Sequence, residues 1–172
     1  MAMIPETERG QLKRILRKDL KEEITIRFFT KFPSLLTIPG RECPSCPQVL
    51  QMLEELTELS PKLHLETYDF YNQIDEVEKY GIERVPSLVL GDNHEGRLKY
   101  YGMPSGNQLS TIISTMISLS RHIAPLSMET RKRLRKLSTP VVIQIFVTPS
   151  CEYSPELVRL SYGIAQQCKY IT

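Results

Sequence analysis

Two cysteines separated by two residues stand where an extended stretch of the sequence changes into a helical pattern. Residues 43–46 read Cys-Pro-Ser-Cys, and an amphipathic pattern follows as far as residue 59. At a helix N-terminus, free backbone N–H groups and the positive end of the helix dipole stabilise a thiolate. Because the thiolate is the species that attacks a disulfide, this arrangement predicts thiol–disulfide exchange and a lowered pKa for the Cys43 thiol.

The two thiols are expected to take different roles. Cys43 lies just before the helix and is the exposed candidate nucleophile, whereas Cys46 lies one turn inside, where it can attack a mixed disulfide and release the product. Pro44 stiffens the turn between them, and Ser45 keeps a backbone N–H that can face the thiolate. We therefore predict Cys43 and Cys46 as catalytic residues and place Pro44 and Ser45 at the substrate surface.

Half of a zinc site is the main alternative for two cysteines at this spacing. Structural zinc takes four ligands, commonly two such pairs. The other thiols, Cys151 and Cys168, lack the spacing, and the three histidines are scattered along the sequence. We therefore predict no metal and no bound cofactor. Asp69 is interpreted as an ordinary strand-end carboxylate, with a role as proton acceptor for Cys46 as the alternative.

Composition narrows the class of protein. The 172 residues suffice for one large domain, or one domain and part of another, and the net charge is +2. This charge is too small to indicate nucleic-acid binding, and we interpret the basic run at residues 131–136 as a solvated helix face. No apolar run approaches the ~20 residues of a membrane span, and no apolar signal segment begins the sequence. We predict a cytoplasmic protein that binds neither nucleic acid nor membrane, in which the cysteines serve chemistry rather than structural disulfides.

The elements predicted around the motif alternate in type. Their order is helix, strand, Cys-x-x-Cys, helix, strand, helix, X-Pro, β-hairpin and helix, which predicts a parallel βαβ half followed by an antiparallel ββα half. The result is an α/β fold, a mixed sheet with helices on both faces. We predict helices at 6–20, at 47–59, from 72 or 75 to 80, and at 107–122, and strands at 24–29, 64–70, 87–90 and 98–101.

A second copy of this order begins after residue 123. A helix at 127–137 and an apolar strand at 141–147 lead to Cys-Glu-Tyr-Ser at 151–154 and a helix at 155–168. We predict one complete unit at 1–120 and an incomplete second unit at 121–172. A serine hydroxyl cannot resolve a mixed disulfide, and Glu152 places a negative charge beside the thiol. We therefore interpret Cys151 and Ser154 as a degenerate second site, with a working monothiol site as the alternative.

These motifs resemble the thioredoxin superfamily, with CPSC opening a helix and RVPSLVL at 84–90. More closely, the sequence is similar to the glutaredoxin-like protein disulfide oxidoreductases of thermophilic prokaryotes, which carry two thioredoxin-fold units. The matching stretches are YGIERVPSLVL, LKYYGMPSG and IQIFVTPSCEYSP. The resemblance implies a thioredoxin-like fold, Cys43 as nucleophile, Cys46 as resolving cysteine, Pro86 as a cis-proline and a second site at Cys151.

Three features depart from that family. Residues 30–41 form a longer approach to the first motif, Ser154 replaces the second resolving cysteine, and the sequence stops where the second unit should continue. The expected function is thiol–disulfide exchange on disulfide-containing proteins, with a thioredoxin reductase-like electron donor. Val85 and Pro86 are expected to pair with the substrate as a strand would. The rival hypotheses are a redox-silent interaction module and a truncated, non-functional paralogue.

Overall fold

The protein is built on a four-stranded mixed sheet. The computed structural model describes residues 2–33, 38–91 and 96–172. The strands lie in the order β2-β1-β3-β4; β1 is parallel to β2 and antiparallel to β3, and β3 is antiparallel to β4. This confirms the predicted parallel and antiparallel halves. The strands are β1 (Ile24–Thr30), β2 (Leu63–Asp69), β3 (Ser87–Leu90) and β4 (Lys99–Tyr101).

Six helices occur in the described ranges, in the predicted order along the chain. None of them is long and apolar enough to cross a lipid bilayer. Parts of two predicted connections, residues 34–37 of the long approach and residues 92–95 of the hairpin loop, lie outside the described residues. The helices are α1 (Glu6–Asp19), α2 (Cys46–Thr57), α3 (Ile74–Tyr80), α4 (Asn107–Ser120), α5 (Met128–Leu134) and α6 (Ser154–Gln167).

Alternation along β1 sends side chains into two separate apolar cores. Phe28 is fully buried in the larger core, which also receives apolar side chains of α1, α2 and α4. Its neighbour Phe29 points to the opposite face, where it meets Val77 of α3 and Val89 of β3. Successive strand residues face opposite sides of a sheet. The sheet is therefore covered on both faces, as the sequence predicts.

The C-terminal part of the chain packs along α4 and the hairpin. Helix α6 contacts α4, and the Tyr162 hydroxyl donates a hydrogen bond of 2.8 Å to the carbonyl of Lys99 in β4. Burial raises the pKa of this tyrosine hydroxyl. The Arg97 guanidinium donates to the carbonyls of Ala165, Cys168 and Ile171 at 2.6, 2.7 and 3.2 Å. One side chain thus holds the end of α6 and the residues that follow it.

The predicted strand at 141–147 is wrong in the described structure. Val141 forms an isolated parallel bridge with Ile171, and Ile143 donates one hydrogen bond to Thr172. Among the described residues, 144–147 make no backbone–backbone hydrogen bond. A cleft of about 520 Å³ separates this segment from β4, so no ladder forms between them. A strongly apolar pattern predicts a strand, but a strand also needs a neighbour to pair with.

The N-terminus is fastened to α2 by one carboxylate. Glu55 accepts hydrogen bonds from the backbone N–H groups of Met3 and Ile4, both at 2.9 Å, and lies 3.6 Å from the Arg9 guanidinium. The N–H of Ile4, then that of Met3, lower the pKa of this carboxyl below its ordinary value of 4.5. A carboxyl whose folded pKa is depressed stabilises the fold above its unfolded pKa, and the stabilisation is lost as pH falls through the folded pKa.

We expect Glu55→Gln to lower the free energy of unfolding by about 1 kcal/mol at pH 7 and by much less at an acidic pH low enough to protonate the wild-type carboxyl. Urea unfolding at the two pH values measures the difference. Glu54→Gln is the matched control because Glu54 lies on the exposed side of the same helix, and we expect no such pH dependence for it. An equal deficit for Glu55→Gln at both pH values would contradict this role of the ionised form.

Candidate functional site

Cys43 and Cys46 form a disulfide at the start of α2. Their sulfurs are 1.98 Å apart and their Cα atoms 5.4 Å apart. Cys46 is 1% exposed, whereas Cys43 is partly open to solvent. The turn between them is closed by a 3.2 Å hydrogen bond from the Cys46 N–H to the Cys43 carbonyl. Cys43 is thus the more exposed of the two residues, and the division into an attacking and a resolving thiol stays a prediction. The lowered pKa of Cys43 in the reduced form stays a prediction.

The helix begins at the predicted place for a local reason. Ser45 precedes the first helical residue, and Pro47 occupies its first turn. A proline is tolerated there because the first N–H groups of a helix have no partner within the helix. The disulfide therefore lies at the N-terminal end of α2. This is the arrangement that the sequence predicts for stabilising a thiolate.

The sheet brings the Val85–Pro86 bond to the same end of the molecule as the disulfide. Phe29, near the end of β1, is paired with Ser87, the first residue of β3. The chain leaves that end of β1 toward Cys43, and α2 must run back along the sheet because β2 is parallel to β1. The N-terminus of α2 and the residues before β3 thus lie at the same end of the sheet, where β1 ends and β3 begins. The Val85–Pro86 peptide bond is cis, as the resemblance implies.

Pro86 also ends the strand pairing at this end of the sheet. The Pro86 carbonyl accepts a hydrogen bond from the Gly102 N–H at 2.9 Å, but Pro86 has no N–H to donate in return. Within the described part of the chain, the backbone of half-buried Val85 makes no backbone–backbone hydrogen bond. The Arg84 guanidinium lies over the Tyr101 ring, 4.8 Å from its centre, and this contact holds the residue that precedes Val85. The backbone of Val85 is therefore able to pair with another extended chain.

A turn anchored by Asp69 supports the approach to the disulfide. Its carboxylate accepts hydrogen bonds from the N–H groups of Tyr71 and Asn72 at 2.9 Å each and of Phe32 at 3.2 Å. These bonds agree with the interpretation of Asp69 as a strand-end carboxylate. The Tyr71 ring in turn carries the Arg41 guanidinium, 4.7 Å from its centre. No local sequence pattern indicates this contact, because the two residues are distant in the chain.

The second motif, residues 151–154, has the same position relative to its helix as the first motif has. In both, the fourth residue begins a helix and a proline follows it, so Ser154 of α6 takes the place that Cys46 has in α2. Exposure is copied too, because Cys151 is partly exposed and Ser154 is 5% exposed. The backbone N–H groups of Tyr153 and Ser154, and then the Ser154 hydroxyl, lower the pKa of the Cys151 thiol. The Glu152 carboxylate opposes this with a weaker influence.

A glutamine on α4 reaches this second motif. Gln108 is 1% exposed, and its Nε2 donates a 2.9 Å hydrogen bond to the Ser154 Oγ. The sequence held a signal for it, since Gln108 precedes Ile112 and Met116 on the buried stripe of α4 and is polar where the stripe is apolar. Within the described residues, His, Cys, Asp and Glu side chains form no group of three or more that could hold a metal ion.

The comparisons with known proteins agree with this architecture. A thioredoxin-domain family model matches residues 35–114. A protein disulfide oxidoreductase from Aeropyrum pernix is similar in structure, with a TM-score of 0.84 and 24% identity over 97% of this chain and 72% of that one. No curated protein sequence matches significantly. The fold is thioredoxin-like.

Two further structural matches come from a different enzyme system. The alkylhydroperoxide reductase protein AhpF from Enterococcus faecalis matches with a TM-score of 0.81 and 25% identity over 98% of this chain and 76% of that one. The N-terminal domain of AhpF matches with a TM-score of 0.80 and 25% identity over 98% and 77%. The thioredoxin-domain match, the Cys43–Cys46 disulfide and the likeness to AhpF together support thiol–disulfide redox activity.

Proposed function

We propose that this protein is a protein thiol–disulfide oxidoreductase that works through Cys43 and Cys46. The single observation that carries the proposal is the asymmetric disulfide at the start of α2, in which Cys43 is partly exposed and Cys46 is buried. An attacking thiol can reach only the Cys43 sulfur, so exchange has one entry point. A structural disulfide has no need of such an opening.

The exchange proceeds in two balanced steps. In the reduced protein, the Cys43 thiolate attacks one sulfur of a substrate disulfide, forms a mixed disulfide and expels the other substrate sulfur as a thiolate. The Cys46 thiol then loses its proton and attacks the Cys43 sulfur, which releases the second substrate thiolate and leaves the Cys43–Cys46 disulfide. The substrate gains two electrons and the protein loses two. Oxidation of a substrate dithiol is the same sequence in reverse.

We assign recognition of the substrate to the end of the sheet that lies beside the Cys43–Cys46 motif. Val85 offers its unpaired backbone N–H and carbonyl to an extended substrate segment, as in strand addition, and Pro86 holds that backbone in place. Pro44 and Ser45 form the opposite side of the contact. The proposed partners are disulfide-containing proteins and an electron donor of the thioredoxin reductase type. We further propose that residues 121–172 begin a second, related unit.

The reduction potential of the Cys43–Cys46 pair tests the proposal. We expect a value between about −270 and −120 mV, the range of catalytic dithiols, measured by equilibration with known ratios of a reduced and an oxidised small thiol. Catalysis of insulin disulfide reduction by the wild-type chain should accompany it. A potential below about −300 mV, with no catalysis, would instead indicate a structural disulfide and the redox-silent module.

A further inference from the structure

Two arginines lie at the end of the sheet that carries the disulfide, and each rests on a tyrosine ring. The Arg41 guanidinium is 4.7 Å from the centre of the Tyr71 ring, and the Arg84 guanidinium is 4.8 Å from the centre of the Tyr101 ring. Both arginines are exposed. Within the described part of the chain, neither guanidinium forms an ion pair or donates a hydrogen bond. Two positive charges are therefore held in place with no carboxylate bound to them.

The strand register places the two tyrosine supports on opposite sides of the first motif. The last residues of β1 and β2 are paired with each other, and Tyr71 lies two residues beyond the end of β2. Ser87, the first residue of β3, is paired with Phe29 near the end of β1 and with Tyr101, the last residue of β4. All of these residues lie at the end of the sheet where the chain leaves β1 toward Cys43. One tyrosine thus stands beside each outer strand, β2 and β4.

Each arginine is also close in sequence to a residue assigned to the exchange reaction. Arg41 lies two residues before Cys43, and Arg84 lies directly before Val85. A substrate segment that reaches both Cys43 and Val85 therefore has an arginine near each of these contacts. Three strand spacings, about 14 Å, separate β2 from β4, so the two arginines serve different parts of a bound segment.

The tyrosine supports make these charges more effective than ordinary surface arginines. A long flexible side chain loses conformational freedom when it forms an ion pair, and at exposed sites this loss cancels much of the gain. A guanidinium that already rests on an aromatic face has lost part of this freedom before its partner arrives. Tyr71 is itself held, because its N–H donates a 2.9 Å hydrogen bond to the Asp69 carboxylate. Glu42 and Glu83, the acids next to the two arginines in sequence, form no ion pair with them in the described structure.

We propose that Arg41 and Arg84 select disulfide substrates in which acidic residues flank the reactive cysteine. This preference rests on the exchange activity proposed for Cys43 and Cys46, and it adds the chemical class of the substrate. A carboxylate can accept two parallel hydrogen bonds from a guanidinium, and these are stronger than bonds between neutral groups. Complementary charge at the rim of a binding site mainly raises the rate of association, and salt screens it. The preferred substrates are therefore extended, acidic segments.

Single-turnover reduction of three disulfide-linked peptides tests the proposal. Each peptide carries one central cysteine flanked on both sides by glutamate, by glutamine or by lysine, and the reduced full-length protein carries Cys151→Ser so that Cys43 is the exposed thiol. The second-order rate constant for each peptide is divided by that of dithiothreitol, an uncharged thiol, with the same peptide. At low ionic strength we expect the glutamate peptide to react about fivefold or more faster than the lysine peptide, with the glutamine peptide between them. This ratio should fall to about two or below at about 0.5 M salt.

Substitutions of the two arginines locate the preference. Arg41→Gln and Arg84→Gln should each reduce the ratio by about twofold or more, and the double variant should bring it to about one. Arg41→Lys and Arg84→Lys keep the charge, and their ratios should exceed those of the glutamine variants. Tyr71→Leu keeps both charges but removes the support of Arg41, so we expect an intermediate ratio. Arg17→Gln is the matched control, because this exposed arginine lies in the last turn of α1, before the opposite end of β1.

The outcomes separate the charge preference from the exchange activity. Reduction of all three peptides faster than by Cys43→Ser, but at equal corrected rates, would support the activity and overturn the preference. A ratio that persists in the double glutamine variant would overturn the assignment to Arg41 and Arg84. Reduction of no peptide faster than by Cys43→Ser would overturn the proposed activity, and the preference with it. Circular dichroism verifies the fold of each variant.

Discussion

Replacing Cys46 by serine should leave the protein covalently joined to a substrate protein. Cys43 keeps its place at the start of α2 and can still attack a disulfide, but the buried thiol that would release the product is gone. The mixed disulfide then accumulates, because a serine hydroxyl cannot displace a thiol from it at neutral pH. Non-reducing electrophoresis after incubation with a disulfide-containing protein, followed by dithiothreitol, measures the adduct and its reversal.

Cys43→Ser should behave in the opposite way. Without the accessible sulfur there is no entry point, so we expect no adduct and a loss of insulin reduction by about 100-fold or more. Both variants should carry Cys151→Ser, because Cys151 is itself a candidate for mixed disulfides. Cys168→Ser is the matched control, since this thiol is buried at the end of α6 and should not affect exchange. Adducts in equal amounts in the Cys43→Ser and Cys46→Ser variants would refute the assigned roles.

The first motif could be predicted from sequence because its determinants are local. A helix start is encoded within a few residues, and Cys43 to Pro47 specify it through the turn, the proline and the apolar periodicity that follows. The end of α3 is equally local: Gly81 adopts a φ of +57° and closes the helix as predicted. The burial difference between Cys43 and Cys46 follows from one turn of helix. Each of these features needs only the nearest neighbours in the chain.

The cis bond before Pro86 could not be predicted from the residues themselves. Most X-Pro bonds in folded proteins are trans, so the sequence alone favoured trans, and only the family resemblance indicated cis. The unpaired backbone of Val85 likewise depends on how β3 and β4 align, since Gly102 must meet the Pro86 carbonyl for the pairing to end there. Such features arise from contacts between segments that are distant in sequence.

The second half of the chain shows more clearly where a hydrophobic sequence pattern fails to predict the structure. Val142 and Phe146 belong to an apolar run that predicts a buried strand, yet they are 69% and 88% exposed. Their side chains fit a sheet, but the segment lies across a cleft from β4 and pairs only at its start. The contact between Gln108 and Ser154 could not be predicted from the sequence either, although a polar residue on the apolar stripe of α4 indicated a buried partner.

Arg97→Met should loosen the C-terminal part of the chain while leaving the sheet folded. The guanidinium donates to three carbonyls at and beyond the end of α6, where helix carbonyls have no partner within the helix. Methionine keeps an unbranched apolar stem of similar reach but removes the donors. We expect a loss of about 2–4 kcal/mol from the docking of residues 154–172, because charged hydrogen bonds to buried groups are among the stronger ones.

Hydrogen exchange followed by mass spectrometry can locate that loss. Amides of α6 should exchange faster in Arg97→Met, whereas those of β1 and α2 should keep their protection, since local opening need not spread to the rest of a domain. Arg159→Met is the matched control: Arg159 lies on α6 but bonds only the exposed Glu156 in the described structure. Faster exchange throughout the chain would contradict this expectation and mean that the core that α6 shares with the sheet unfolds as one. Exchange confined to α6, with insulin reduction unchanged, would mean that the Cys43–Cys46 unit carries its chemistry independently of the helix that Arg97 holds.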